Sequence, residues 1–161
     1  MRHFKTSYRM PYSADHMFAL AADIESYPEF VPLCEKAVIH SRAPLGEGRE
    51  ILRASLSVGY EKLHLNETFL SDVTLDPDRG HIRSVSSTGP VKQLEADWLF
   101  VPLTETASRI DFNLSYQMRS MALQMLMSMM FDKAFQRIAH AFRSRADQIY
   151  GNRLKPQVAS V

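Results

Sequence analysis

Residues 119–150, RSMALQMLMSMMFDKAFQRIAHAFRSRADQIY, contain neither glycine nor proline and are rich in Met, Ala, Leu and Phe. The run is too long for an ordinary strand. An advance of about 100° per residue puts Phe131, Phe135, Ile138, Phe142 and Ile149 on one narrow stripe, with Lys133, Arg137 and His140 roughly opposite. The second half is therefore predicted to be an amphipathic helix with one face committed to a core. The first half differs, because Met121, Ala122, Leu123, Met125, Leu126, Met127, Met129 and Met130 point in nearly every direction. A turn that is apolar all round has to be buried, cover another element or meet a non-aqueous partner.

What this helix packs on is written in the residues before it. Phe4 to Met10 alternates apolar and polar, which predicts a half-buried strand ended by Pro11. Ser13 is placed to cap a helix with Asp15 in its first turn and Met17, Phe18, Ala21 and Ile24 on its apolar side. Pro28 and Pro32 bracket Glu29-Phe30-Val31, so Asp23 to Leu33 is predicted to be a short helix broken into a turn. From Glu35 the period changes to two. Strands are predicted at Lys36–Arg42 and Glu50–Val58, with a turn at Ala43–Gly48 and a tight connection at Gly59-Tyr60. Leu63, Leu65, Phe69 and Val73 form the next alternating set. Asp76-Pro77-Asp78-Arg79-Gly80 is a turn, His81–Ser86 a short strand, and Thr88-Gly89-Pro90 turns again. Leu94, Ala96, Trp98 and Phe100 share one strand face; Ile110, Phe112, Leu114 and Tyr116 share another.

Adjacent strands joined by short turns predict an antiparallel sheet rather than βαβ units. A sheet of about seven strands coils, and only the C-terminal helix is long enough to cover it. The fold class is therefore α+β, a curved sheet gripping a helix with a cavity between them. A single domain is expected over 1–150, followed by a tail over 151–161.

The totals narrow the class. At 161 residues and 45% hydrophobic, the chain has enough apolar material for one real core. Its net charge of +1 makes no case for DNA. From Arg119 onward there are seven Lys/Arg against two Asp, and before it twelve against sixteen acids, so a basic helix rests on an acidic body. One cysteine, Cys34, excludes an internal disulfide and fits a reducing compartment. No signal peptide is read at the start, and the methionine-rich run is too short to span a bilayer. The expected place is the cytoplasm, or at most the periphery of the membrane's inner face.

The succession of elements resembles the START-like, helix-grip superfamily. Within it, Asp23-Ile24-Glu25-Ser26-Tyr27-Pro28-Glu29-Phe30-Val31-Pro32-Leu33-Cys34 is similar to the signature of the coenzyme Q-binding proteins and their RatA-type bacterial relatives. Gly89-Pro90-Val91-Lys92-Gln93-Leu94, then Trp98 and Phe100, resembles a second motif of that family. Phe131-Asp132-Lys133-Ala134-Phe135, with Ala141-Phe142 and Arg145-Ala146, resembles a third. Leu33 and Val91 stand where the family usually has tryptophan and phenylalanine. The resemblance implies non-catalytic binding of ubiquinone or a related polyisoprenoid lipid in support of respiratory electron transport. It equally admits a ribosome-associated toxin that binds the large subunit and acts on subunit joining, and a small enzyme of the cyclase/dehydrase type.

For a lipid carrier, the cavity wall is expected to come from large rings: Phe30, Trp98, Phe100, Phe112, Tyr116, Phe131 and Phe135. Between them would stand Val31, Leu33, Leu56, Val58, Leu65, Met127, Ala134 and Ile138. Glu67 is in register with Leu63, Leu65 and Phe69, so strict alternation points its carboxylate inward, where it would meet a quinone hydroxyl or a water, unless a bulge or strand end returns it to solvent. Met125 and Met129 are candidates for a greasy lip at a membrane, and Lys133, Arg137 and Arg143 for contact with lipid or RNA phosphates. No cofactor other than a bound ubiquinone is expected, and no metal. His3, His16, His40, His64, His81 and His140 are scattered without ligand spacing, and nothing beside Cys34 favours a thiolate. Asp23 and Glu25 are read as helix-capping acids rather than a catalytic pair.

Overall fold

The computed structural model describes residues 1–60 and 64–154, for residues 60, 65, 130–132 and 152–154 the backbone alone. Strand β1 (Arg2–Met10) leads to helix α1 (Ala14–Ala22) and a three-ten helix (Ile24–Glu29). Six strands follow: β2 (Cys34–Gly46), β3 (Arg49–Tyr60), β4 (Leu65–Asp76), β5 (His81–Ser86), β6 (Val91–Thr104) and β7 (Ala107–Met118). Helix α2 (Met121–Leu154) ends the described chain. The seven strands form one antiparallel sheet in the order β1-β7-β6-β5-β4-β3-β2, so the first strand lies against the last and β2 is the far edge.

Local chemistry explains most boundaries. Ser13 caps α1, its Oγ accepting from the His16 amide at 3.1 Å. Pro28 sits inside the three-ten helix, and its ring limits that segment to six residues. Alternation holds along β1, where Phe4, Thr6 and Tyr8 are half-buried and Met10 buried while Lys5, Ser7 and Arg9 are exposed. It also holds along β7, where Ile110, Phe112, Leu114 and Tyr116 are all buried. Gly89 turns the chain between β5 and β6 at φ +63°, and a Cβ there would lie 2.5 Å from the Thr68 carbonyl oxygen. Only glycine fits that close approach.

Three boundaries differ from the sequence reading. β2 runs on through Pro44 to Gly46, since an edge strand needs no amide hydrogen bond on its solvent side. Gly59 and Tyr60 are not a connection but the end of β3, paired with Asn66 and Leu65; Leu63 lies outside the described residues. α2 continues past Tyr150 to Leu154, and residues 155–161 lie outside the described residues. Ile149, expected on the core stripe, is 41% exposed, because the stripe drifts round the helix beyond Ala146.

The core lies between the concave sheet face and the helices, in two clusters. One gathers Met17, Leu20, Leu52, Val73, Phe100 and Phe142 under α1; the other gathers Val91, Phe112, Leu114, Tyr116 and Phe135 under the middle of α2. Trp98 and Tyr8 pack against both. The convex face is polar and laced with ion pairs, among them Arg83–Asp97 at 2.8 Å and Arg109–Asp111 at 2.9 Å.

Candidate ligand-binding site

Where the two clusters meet, β1, β6, β7 and α2 turn rings toward a common point. Phe112 and Phe135 stack with centroids 4.4 Å apart, and Trp98 meets Phe112 edge-on at 4.8 Å. Phe142 lies 5.5 Å from Trp98 and 5.1 Å from Phe30, while Phe4 and Tyr8 flank Phe135 at 5.3 and 6.0 Å. Such offset and edge contacts hold the rings in fixed relation beyond their area burial.

These rings enclose a hollow bounded by Tyr8, Met10, Trp98, Ile110, Phe112, Phe135, Ile138, Ala139 and Phe142. Its volume is about 10 Å³. That is at the threshold for a single water, and the apolar wall gives a water no partners. The roomy cavity expected from the sequence is thus shut in this conformation, because the rings of sheet and helix interlock. A five-carbon isoprene unit enters only if α2 moves away from the sheet.

Of the expected wall residues, Trp98, Phe112, Phe135 and Ile138 border the hollow. Phe100 is buried to one side, edge-on to Phe18 of α1 at 5.6 Å. Phe30, Val31 and Leu56 pack against the first cluster, and Met127 against the second. Leu33 is half-buried at φ +70°, and Ala134 is half-buried on α2. Tyr116 places its hydroxyl 3.4 Å from Ser128 Oγ. Val58 and Glu67 face one another across the β3–β4 ladder, both half-buried, and neither borders the hollow that Glu67 was expected to line. The side chains of Leu65 and Phe131 lie outside the described residues. Tyr8, Met10, Ile110, Ala139 and Phe142 are wall residues that the sequence reading left out of the site. The alternation of β1 and the stripe of α2 carried that signal.

The two halves of α2 are held differently. The C-terminal half is latched: the Tyr12 hydroxyl donates to Asp147, Tyr150 Oη donates to the His16 carbonyl at 3.2 Å, and the His16 and Tyr150 rings stack at 4.1 Å. The Arg145 guanidinium lies over the Phe30 ring at 5.2 Å and 3.6 Å from Glu29, so the first and third sequence motifs meet there. The N-terminal half shows Met121, Met125 and Met129 to solvent at 83%, 64% and 78% exposure. Gln124 steadies its start by accepting from the Met118 amide at 2.7 Å, and Arg119 donates to the carbonyls of Ser87 and Gly89 at 2.7 and 3.0 Å. Lys133, Arg137, His140 and Arg143 are exposed further along.

Burial and the bond to Asp147 push the Tyr12 phenol from its ordinary 10.0 up to about 12. A raised folded value means that the neutral phenol stabilises the fold in full below pH 10, and that this contribution disappears as pH climbs through about 12. Tyr12→Phe should therefore lower stability by about 1 kcal/mol at neutral pH. In thermal melts, the gap between wild type and variant should close between pH 10 and 12; a gap that persists would show the latch to be inert.

Groups with catalytic capacity lie elsewhere. His81 pairs with Asp97 at 2.8 Å on the convex face. Burial pushes the Cys34 thiol up, away from thiolate chemistry. Asp23 accepts from Ser26 Oγ at 2.6 Å and Glu25 from the Ile39 amide at 3.1 Å, so both acids are structural, but not as the expected caps: Asp23 makes no side-chain capping bond and Glu25 reaches across to β2. Among the described residues, no His/Cys/Asp/Glu cluster could hold a metal, and no helix is long and apolar enough to cross a membrane.

Comparison with known proteins follows the architecture. The family described as polyketide cyclase / dehydrase and lipid transport matches residues 10–143. The chain is 30% identical to the ribosome association toxin RatA of Pseudomonas aeruginosa, over 92% of this chain and 98% of that one. It is 28% identical to a mitochondrial coenzyme Q-binding protein of Xenopus laevis (homolog B), over 92% of this chain and 59% of that one. The solution structure of an 18 kDa protein from Caulobacter crescentus superposes with a TM-score of 0.78 at 28% identity, over 94% of this chain and 99% of that one.

Proposed function

Because the chain belongs to the polyketide cyclase / dehydrase and lipid transport family, in its RatA-like and coenzyme Q-binding branch, we propose that it binds a polyprenylated quinone without transforming it. The carrying observation is the convergence of rings and aliphatic side chains from β1, β6, β7 and α2, with no carboxylate, imidazole or thiol among the described wall residues. A wall of that kind suits a hydrocarbon tail. Burying apolar surface contributes about 25 cal/mol per Å², so each isoprene unit adds to affinity without any polar contact. Acid–base chemistry would need a committed base beside the ligand, and among the described wall residues the Tyr8 phenol is the one ionisable side chain.

The hollow as it stands, about 10 Å³, has no room for a tail. Access comes from the start of α2, the end of the helix away from the latch. The quinone tail would then take the place of the stacking between Phe135 and Phe112. The deciding experiment is to purify the protein from its native host, extract it with organic solvent and search for a quinone by mass spectrometry. A stoichiometric quinone is expected; an extract free of prenylated lipid, from protein that also fails to bind added quinone, overturns the reading.

A second reading has its own observation, the exposed row Lys133, Arg137 and Arg143 on α2, in a chain similar to ribosome association toxins. Contact with RNA phosphates through this row would weaken steeply with salt as counterions are released. Replacing all three residues with alanine should then abolish co-sedimentation with large ribosomal subunits at low salt. Quinone uptake through an apolar wall should be indifferent both to that change and to salt.

A further inference from the structure

A second hollow, of about 430 Å³, lies at the opposite end of the helix from the latch. It is formed by Met1 and Arg2 at the start of β1, Lys92 at the start of β6, Gln117 and Met118 at the end of β7, and Arg119, Ser120, Met121 and Gln124 at the start of α2. β1, β7 and β6 are neighbours in the sheet, which is why residues so distant in sequence meet here. Arg2, Lys92 and Arg119 are all exposed, and among the described residues no acidic side chain lines the hollow. Arg119 spends its hydrogen bonds on carbonyl groups, so its charge is not neutralised. The positive end of the α2 dipole points the same way.

The methionine ridge begins at this hollow. Met121 lines it, and Met125 and Met129 continue the line at four-residue intervals along about 12 Å of helix. Three large apolar side chains, each more than 60% exposed and in a row, are not explained by packing within the chain. Cations beside a protruding apolar ridge match a bilayer interface, where phosphates lie above hydrocarbon.

We propose that the protein docks on anionic phospholipid bilayers by the start of α2. Arg2, Lys92 and Arg119 take lipid headgroup phosphates in the hollow, and Met121, Met125 and Met129 sink into the acyl boundary. The docked face is the end of the helix away from the latch, so a lipid leaving the bilayer meets the protein beside the first turns of α2. The inference takes its purpose from the quinone-binding reading. Docking itself is measured on quinone-free vesicles, so failure to dock and failure to bind quinone are separate results.

The test is flotation of the full chain with vesicles of phosphatidylcholine alone or of phosphatidylcholine with phosphatidylglycerol. Wild type should float with the second and hardly with the first, and salt should weaken the association. The double variant Arg2→Ala, Lys92→Ala should lower partitioning onto anionic vesicles roughly tenfold or more. The triple variant Met121→Ser, Met125→Ser, Met129→Ser should lose partitioning to at least the same extent, with circular dichroism unchanged because all of these side chains are exposed. Wild type that does not float, or variants that float as it does, would overturn the proposal.

Discussion

Phe135→Ala should lower the stability of the fold by about 3–5 kcal/mol, the range for deleting a buried aromatic ring. Phe135 is 5% exposed and contacts Phe4, Tyr8, Trp98 and Phe112, so no neighbour can collapse into its place without breaking a further ring contact. Urea unfolding followed by Trp98 fluorescence reads the loss directly, since Trp98 is the sole tryptophan and borders the same hollow. The quinone-binding reading adds a second expectation of opposite sign. The vacated volume is apolar and joins the hollow, so a short-chain ubiquinone should quench Trp98 at lower concentration in the variant than in wild type. Weaker quenching would place the quinone somewhere other than beneath α2.

Ala139→Phe reverses the geometry. Ala139 is 9% exposed and borders a hollow of about 10 Å³, which has no room for a ring. Overfilling the interior typically costs about 1–3 kcal/mol, and here the strain falls on the contact between α2 and the sheet. Stability should drop, as it does for Phe135→Ala, but quinone uptake should vanish rather than improve. Two destabilised variants with opposite binding phenotypes cannot be explained by damage to folding. Ribosome co-sedimentation, if it depends on the exposed basic row, should survive both.

The architecture was legible because each element has its own period. Alternation in β1, β6 and β7 survives as the burial pattern of those strands, and the stripe Phe135, Ile138, Phe142 faces the core as spaced. Cavity size was not legible. Whether Phe135 leaves a space or stacks on Phe112 depends on distances between elements, and periodicity carries no information about distance. A glycine in the sequence does not by itself mark a strand end: Gly59 stays in the ladder with its missing Cβ next to the Glu35 carboxylate. The cationic hollow was invisible for another reason: Arg2, Lys92 and Arg119 are united only by strand order. The apolar girth of the early α2 turns was noticed, and the exposed methionines are its outcome.

The pairing of β1 with β7 sets the order in which the molecule can be completed during synthesis. The first strand leaves the ribosome long before residues 107–118 exist, so its hydrogen-bonding groups wait for a neighbour while β2 to β5 can already zip by hairpins. α2 comes last, and until it arrives the greasy concave side of the sheet stands uncovered. A message cut short before Met121 would therefore yield a sticky half-product rather than a smaller working domain, a hazard for any nascent chain whose covering helix is made after its sheet.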